Sequence, residues 1–109
     1  MADYLKVLDQ VAAPATTATV LYTVPNLTST TTSTLVVCNR SSATVTFRVS
    51  IRKAAAAEND KQYIFYDNPL NPHSTLAAVI GMTLAEKDVV YVYASATGLS
   101  FNLFGVETV

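Results

Sequence analysis

The sequence predicts an all-β fold, an antiparallel β-sandwich of Ig-like or jelly-roll-like form built from seven to eight short strands. Two observations carry that expectation. Between Thr44 and Arg52, the residues Val45, Phe47, Val49 and Ile51 alternate strictly with Thr44, Thr46, Arg48, Ser50 and Arg52. A side-chain period of two gives a strand one buried and one wet face. Short stretches rich in Val, Thr and Tyr also recur along the whole chain, broken by Pro, Asn, Ser and Gly, which is the pattern of a sandwich or barrel. At 109 residues there is material for one two-layer core and not for two.

Taken in order, Tyr4 to Val11 admits two periods: Leu5, Leu8 and Val11 fit a helix, whereas Leu5 and Val7 fit an extended segment. Pro14 follows closely and nothing beyond Asp3 caps a helix, so residues 1–14 are read as an N-terminal arm or first strand. Residues 15–109 form the single sandwich domain. Ala18 to Val24 is a strand with Val20, Tyr22 and Val24 on one side, and Pro25 stops it by removing a ladder donor. Asn26 to Thr32 reads as a polar loop. Leu35 to Cys38 is apolar and β-branched, as a strand buried on both faces is. Asn39, Ser41 and Ser42 then read as the turn of a β-hairpin joining it to the alternating strand.

Beyond Arg52, the alanine run Ala54 to Ala57 favours one helical turn but is too short for an independent helix. Strands follow at Gln62–Tyr66, Ser74–Ile80, Val89–Ala94 and Leu99–Val106, with loops at Asp67–His73 and Met82–Asp88. In the last strand Leu99, Phe101 and Leu103 face away from Ser100, Asn102 and Phe104. No internal repeat or interdomain linker interrupts the chain.

Composition removes several classes of function. Charged residues make up 14% of the chain, against about 25% in soluble domains. A surface so poor in charge resists association weakly, which points to coverage by another chain. The net charge of −1 gives no electrostatic drive toward nucleic acid or an anionic membrane. No window approaches the roughly 18 apolar residues of a spanning helix. One cysteine leaves no internal disulfide framework or cysteine-based zinc site. The start, Met1 to Lys6, has no basic region followed by an apolar run, so synthesis in a cytoplasm without export by a signal peptide is expected.

Chemistry-bearing residues are sparse. Cys38 and His73 are the single residues of their kind; Cys38 is expected to be buried and inert in its strand, and His73 to be exposed in a loop. Asp60, Asp67 and Asp88 lack the alternating acidic spacing of a calcium loop. Glu86 and Asp88 read as solvated loop charges rather than an acid–base pair. The glycines at 81, 98 and 105 are too scattered to cradle phosphate. No catalytic, cofactor-binding or metal-ligating residue is therefore predicted. Arg48 and Arg52 share the outer face of one strand, and Tyr63, Tyr66, Tyr91 and Tyr93 could join them as a stacking surface for single-stranded nucleic acid or carbohydrate. The near-neutral charge disfavours nucleic acid. Bidentate pairing with carboxylates of a neighbouring subunit suits the two arginines better. The candidate subunit contacts are thus Arg48 and Arg52, together with Tyr4, Leu5 and Val7 of the N-terminal segment.

Several phrases occur in a distinctive order: Leu21-Tyr22-Thr23-Val24-Pro25, Leu35-Val36-Val37-Cys38-Asn39-Arg40-Ser41 with Phe47-Arg48-Val49, Lys61-Gln62-Tyr63-Ile64-Phe65-Tyr66-Asp67, Gly81-Met82-Thr83-Leu84-Ala85 and Leu99-Ser100-Phe101-Asn102-Leu103-Phe104-Gly105. In this order they resemble a group of small virion structural proteins of tailed bacteriophages, including phages of aquatic bacteria. The resemblance runs from about Tyr4 to the C-terminus; Asn26-Leu27 departs from it, since a small residue commonly follows the proline there. It implies a non-enzymatic homo-oligomeric part of the virion, binding other virion proteins such as the major capsid protein or tail and neck proteins. A capsid accessory or decoration role is expected first. A neck, baseplate or tail-fibre-attachment component is the alternative, and a host-surface carbohydrate-binding module a second one.

Overall fold

Alternating apolar and polar residues fold into two antiparallel sheets packed face to face in this computed structural model, which describes residues 2–109. The strands are β1 (Asp3–Ala12), β2 (Thr19–Thr23), β3 (Ser29–Asn39), β4 (Val45–Arg52), β5 (Tyr63–Leu70), β6 (Thr75–Ala78), β7 (Thr83–Leu84), β8 (Val89–Ala94) and β9 (Leu99–Thr108). The first sheet has the order β1-β9-β3-β6, with the two-residue β7 also pairing with β3; the second has the order β2-β8-β4-β5. Apart from β7, this interleaving of eight strands between two layers is that of a jelly roll. Of the two expected sandwich forms, this is the one observed.

Inward-facing residues of both sheets supply the core. Phe47, Val49, Val90 and Val92 of the second sheet meet Leu35, Val37, Phe101 and Leu103 of the first, all fully buried. Phe47 packs at 6.1 Å edge-on to Phe101 and at 5.5 Å against Phe65, within the range where aromatic quadrupoles attract. Gly105 of β9 marks the tightest approach between strands. A Cβ there would lie 2.4 Å from the Thr31 carbonyl oxygen and 2.8 Å from the Thr32 Cα, so only glycine fits.

Four expectations are corrected. The predicted hairpin does not exist: β3 pairs with β9, β6 and β7, whereas β4 pairs with β8 and β5. Their apolar residues face one another across the core instead of lying side by side, because residues 40–44 carry the chain from one layer to the other. Asn39 pins that crossing. Its buried amide donates to the carbonyls of Ala43 (2.8 Å), Leu70 (3.0 Å) and Asn71 (3.2 Å), and its side-chain oxygen accepts from the Ser41 N–H at 2.9 Å. Second, the Leu35–Cys38 segment is buried on one face only, since Val36 and Cys38 are half-buried on the outside. Third, a register shift between Val20 and Tyr22 turns both Leu21 and Tyr22 into the core and leaves Val20 outside. A bulge breaks the period of two there. Fourth, strands replace parts of predicted loops: β3 begins at Ser29, β5 continues to Leu70 and β7 lies within Met82–Asp88, while β9 runs past its expected end at Val106 to Thr108.

The N-terminal segment is a strand of the sheet. Asp3 to Ala12 pairs along β9, with Leu5 opposite Val106 and Val7 opposite Phe104. The alanine run holds a short turn at Lys53–Ala55, in which Ala54 and Ala55 take left-handed angles. No helix of the described residues is long and apolar enough to cross a membrane.

Candidate functional site

The outer face of the second sheet gathers most of the tyrosine and guanidinium groups. The alternation of β4 aims Arg48, Ser50 and Arg52 outward, and its register with β8 sets Arg48 opposite Tyr93 and Ser50 opposite Tyr91. From the other side β5 brings Tyr63 opposite Ser50. Phe47 pairs with Asn68 and Val49 with Phe65, so two residues, Tyr66 and Asp67, face Arg48 alone. That is a β-bulge, and Asp67 adopts φ 50° within it, a left-handed conformation that Asp tolerates better than most residues.

The bulge delivers a carboxylate to Arg48. The guanidinium donates from Nε to Asp67 Oδ1 at 2.6 Å and from Nη2 to Oδ2 at 3.3 Å, and the hydrogen bond with Asp67 raises the Arg48 pKa further above its ordinary value. The Arg48 Cζ also lies 4.3 Å from the Tyr66 ring centroid and 4.5 Å from that of Tyr93. Arg48 is therefore clamped between two rings and held by an acid of its own chain, rather than left free for a neighbour's carboxylate.

Arg52 is different. Its Cζ sits 3.6 Å from the Tyr91 centroid, yet its Nε is buried with no hydrogen-bond acceptor. The ion pairs among the described residues are Arg48–Asp67 and Lys6–Glu107. Beside Arg52 opens a cleft of about 130 Å³, lined by Arg48, Ser50, Glu58, Tyr63, Tyr91 and Tyr93 among others. Glu58 Oε2 accepts from the Tyr63 hydroxyl at 2.6 Å, which raises the Tyr63 pKa. Tyr63 in turn meets Tyr66 edge-on at 5.0 Å.

This arrangement limits what the surface does chemically. A sugar or base needs a free ring face, and Arg48 covers faces of Tyr66 and Tyr93 while Arg52 covers Tyr91. No group of three or more His, Cys, Asp or Glu side chains gathers to hold a metal among the described residues. Cys38 is half-buried on the outside of β3, and His73 is exposed at a left-handed loop position.

The first sheet presents a second surface. Its outer face carries the rows Leu5–Val106–Thr31 and Val7–Phe104–Thr34 across β1, β9 and β3. Leu5 is 81% exposed and Val7 45%. β1 is the terminal strand of this sheet, so one row of its backbone groups has no strand partner. Tyr4, also exposed, lies on the opposite face of β1, across from Glu107.

Glu107 belongs to a cluster that sequence reasoning missed. The alternation Phe101, Leu103, Gly105 continues inward to Glu107, which is buried at one end of the core. It accepts from the Tyr22 hydroxyl at 2.5 Å and pairs with Lys6 at 3.0 Å, and Tyr22 also bonds Thr30 at 2.9 Å. The Tyr22 hydrogen bond holds Glu107 below its ordinary pKa against the opposing effect of burial, while burial first, and then Glu107, raises Tyr22. Extending the last strand by one residue beyond Val106 would have revealed this carboxylate. Asp67 and Glu58 were hidden because both lie in segments whose composition signals loop.

Comparison with protein families, with curated proteins and with solved structures returns no match.

Proposed function

We propose that this protein is a non-enzymatic structural component of a bacteriophage virion, most simply an accessory or decoration protein bound to the capsid shell. The observation that carries the proposal is the apolar outer face of the first sheet, where Leu5, Val7, Phe104 and Val106 lie together beside the open edge of β1. Contiguous apolar surface of this kind marks protein–protein contact, and an open edge accepts a strand from another chain. Low charge over the whole chain and the resemblance to small virion proteins support the same assignment. Jelly rolls occur in viral capsid and lectin domains, an analogy of fold that supports without deciding. Binding through many repeated copies multiplies weak individual contacts.

The test is the number of copies per purified virion, measured by quantitative mass spectrometry against the major capsid protein. Decoration of the shell predicts a copy number on the order of the capsid protein's own. A few to a few dozen copies, as ring symmetry in a neck or tail dictates, would replace the capsid role with the tail one. Absence from the particle overturns both.

A further inference from the structure

The hydrogen-bonding pattern on the open edge of β1 is fixed from both ends of the strand. Ala2 N–H donates to the Val109 carbonyl at 3.0 Å and Val109 N–H donates back to the Ala2 carbonyl at 2.9 Å, so these two residues form a bonded pair. Bonded and non-bonded pairs alternate along an antiparallel ladder, which turns the backbone groups of Asp3, Leu5 and Val7 away from β9. At the other end Ala13 N–H donates to the Leu99 carbonyl at 3.2 Å, which turns those of Ala12 and Gln10 away as well. The two alternations meet at the bulge, where Leu8 and Asp9 together take the place opposite Leu103. The other terminal strands are poorer templates: β6 has four residues, β2 has five and a bulge, and β5 carries Pro69 and two register shifts. Only β1 offers a long edge without proline.

We propose that β1 of a second copy of this chain covers this edge, antiparallel about a two-fold axis that passes between the two Val7 residues. Charge selects the register. With the strands fully overlapped, Asp3 faces Ala12 of the copy, Leu5 faces Gln10 and Val7 faces Val7, and all of these turn their backbone groups to the open side. They exchange about ten hydrogen bonds. Lys6 then faces Asp9 of the copy, and both side chains are exposed. Sliding one strand by two residues, the smallest step that keeps each face in place, sets Lys6 against Lys6 in one direction and Asp9 against Asp9 in the other. Like charges directly opposite destabilise a strand pair, so the full overlap is preferred over both neighbours. Lys6 keeps its bond to Glu107, since an ammonium has three donors. Asp9 Oδ1 now accepts from Gln10 N–H at 2.8 Å; in the pair that N–H passes to the Leu5 carbonyl of the copy and frees the carboxylate for Lys6. The axis is perpendicular to the sheet, so the Leu5 and Val7 faces of both copies lie on the same side and join. The pairing does not depend on the virion assignment.

The test is sedimentation velocity of the full chain over a concentration series, with thermal melting to show that each variant is folded. The wild-type protein is expected to dimerise. Asp9→Lys sets ammonium groups together at both ends of the overlap and is expected to weaken the dimer about tenfold or more with its melting transition retained. Oxidative crosslinking then reads the register in a Cys38→Ser background. Val7→Cys is expected to form a disulfide dimer, because facing residues of a bonded pair lie about 5.5 Å apart at Cα, within disulfide range. Leu5→Cys is expected to stay uncrosslinked, its copy lying about 14 Å away along the strands. A wild-type protein that is monomeric up to its solubility limit overturns the proposal. So does a folded Asp9→Lys variant as dimeric as wild type, or a Leu5→Cys variant that crosslinks as readily as Val7→Cys. The number of copies per virion is a separate measurement, so failure of the pairing and failure of the virion assignment are told apart.

Discussion

The two outer faces of the sandwich arise from the same alternation of side chains, yet they leave different things unmet. On the first sheet the outward positions around Leu5, Val7, Phe104 and Val106 are apolar, flanked by Thr31 and Thr34 and beside an unpaired strand edge. On the second they are Arg and Tyr, stacked and bonded to one another, with one donor left over. Apolar area is non-directional and sums over any partner of suitable shape, whereas a guanidinium demands an acceptor in a defined place.

Substitutions separate the faces in descending order of effect. The largest loss is expected from Gly105→Val, which breaks the first sheet at its tightest point. Its Cβ would meet backbone atoms of Thr31 and Thr32 that have no rotamer to yield, at a cost of about 3 kcal/mol. A large fall in the urea midpoint checks it; an unchanged midpoint would mean that β9 and β3 are not in this register.

Next comes Glu107→Gln, at about 2 kcal/mol near neutral pH, because Tyr22 and Lys6 then bond a neutral amide. Glu107 has a folded pKa below its ordinary 4.5. Its contribution is therefore fully present above that value and lost as pH falls through the lower folded value. Thermal unfolding between neutral and acid pH should show a steep acid limb in wild type and a shallower one in the variant.

On the second sheet, Arg48→Lys is expected to lower stability by about 1 kcal/mol, since ammonium replaces a planar group stacked on Tyr66 and Tyr93. Asp67→Asn keeps a residue tolerant of the left-handed angle and removes only the charge. Its smaller loss, about 0.5 kcal/mol for a pair this exposed, should shrink further with added salt. Equal losses in high and low salt would show that the bulge, and not the charge, holds Arg48.

Leu5→Lys should change stability least, within about 0.5 kcal/mol, because Leu5 is 81% exposed. Its effect is expected in assembly instead: a charge amid the Val106 and Val7 rows should reduce incorporation into particles. Deleting residues 1–13 cannot make this distinction. It would strip Leu8 and Ala13 from the core and uncover β9, so loss of incorporation would follow from unfolding.

Much of the architecture was legible in the residues. The strict alternation of Val45 to Arg52 placed Phe47 and Val49 inside and both arginines outside, as observed. The clustered tyrosines of β5 and β8 were also correctly grouped with Arg48 and Arg52. The hairpin was misread because local pattern reports which way a side chain faces and not which strand lies beside it. Asn39 has the same turn-forming chemistry in either case. Asp67 was missed because a bulge inserts residues without changing the composition around it.

Sequence by itself determined the periods of β4 and of the Leu99–Leu103 part of β9, with the core residues they carry, and the scarcity of charge, because these depend on side-chain type and on neighbours along the chain. The tertiary structure decided the partner of every strand, the crossing at residues 40–44, the carboxylate held by Arg48 and the acceptor missing from Arg52. Those depend on residues far apart in sequence, such as Glu107 against Tyr22 and Lys6. Only closure of the two layers brings such groups within bonding distance.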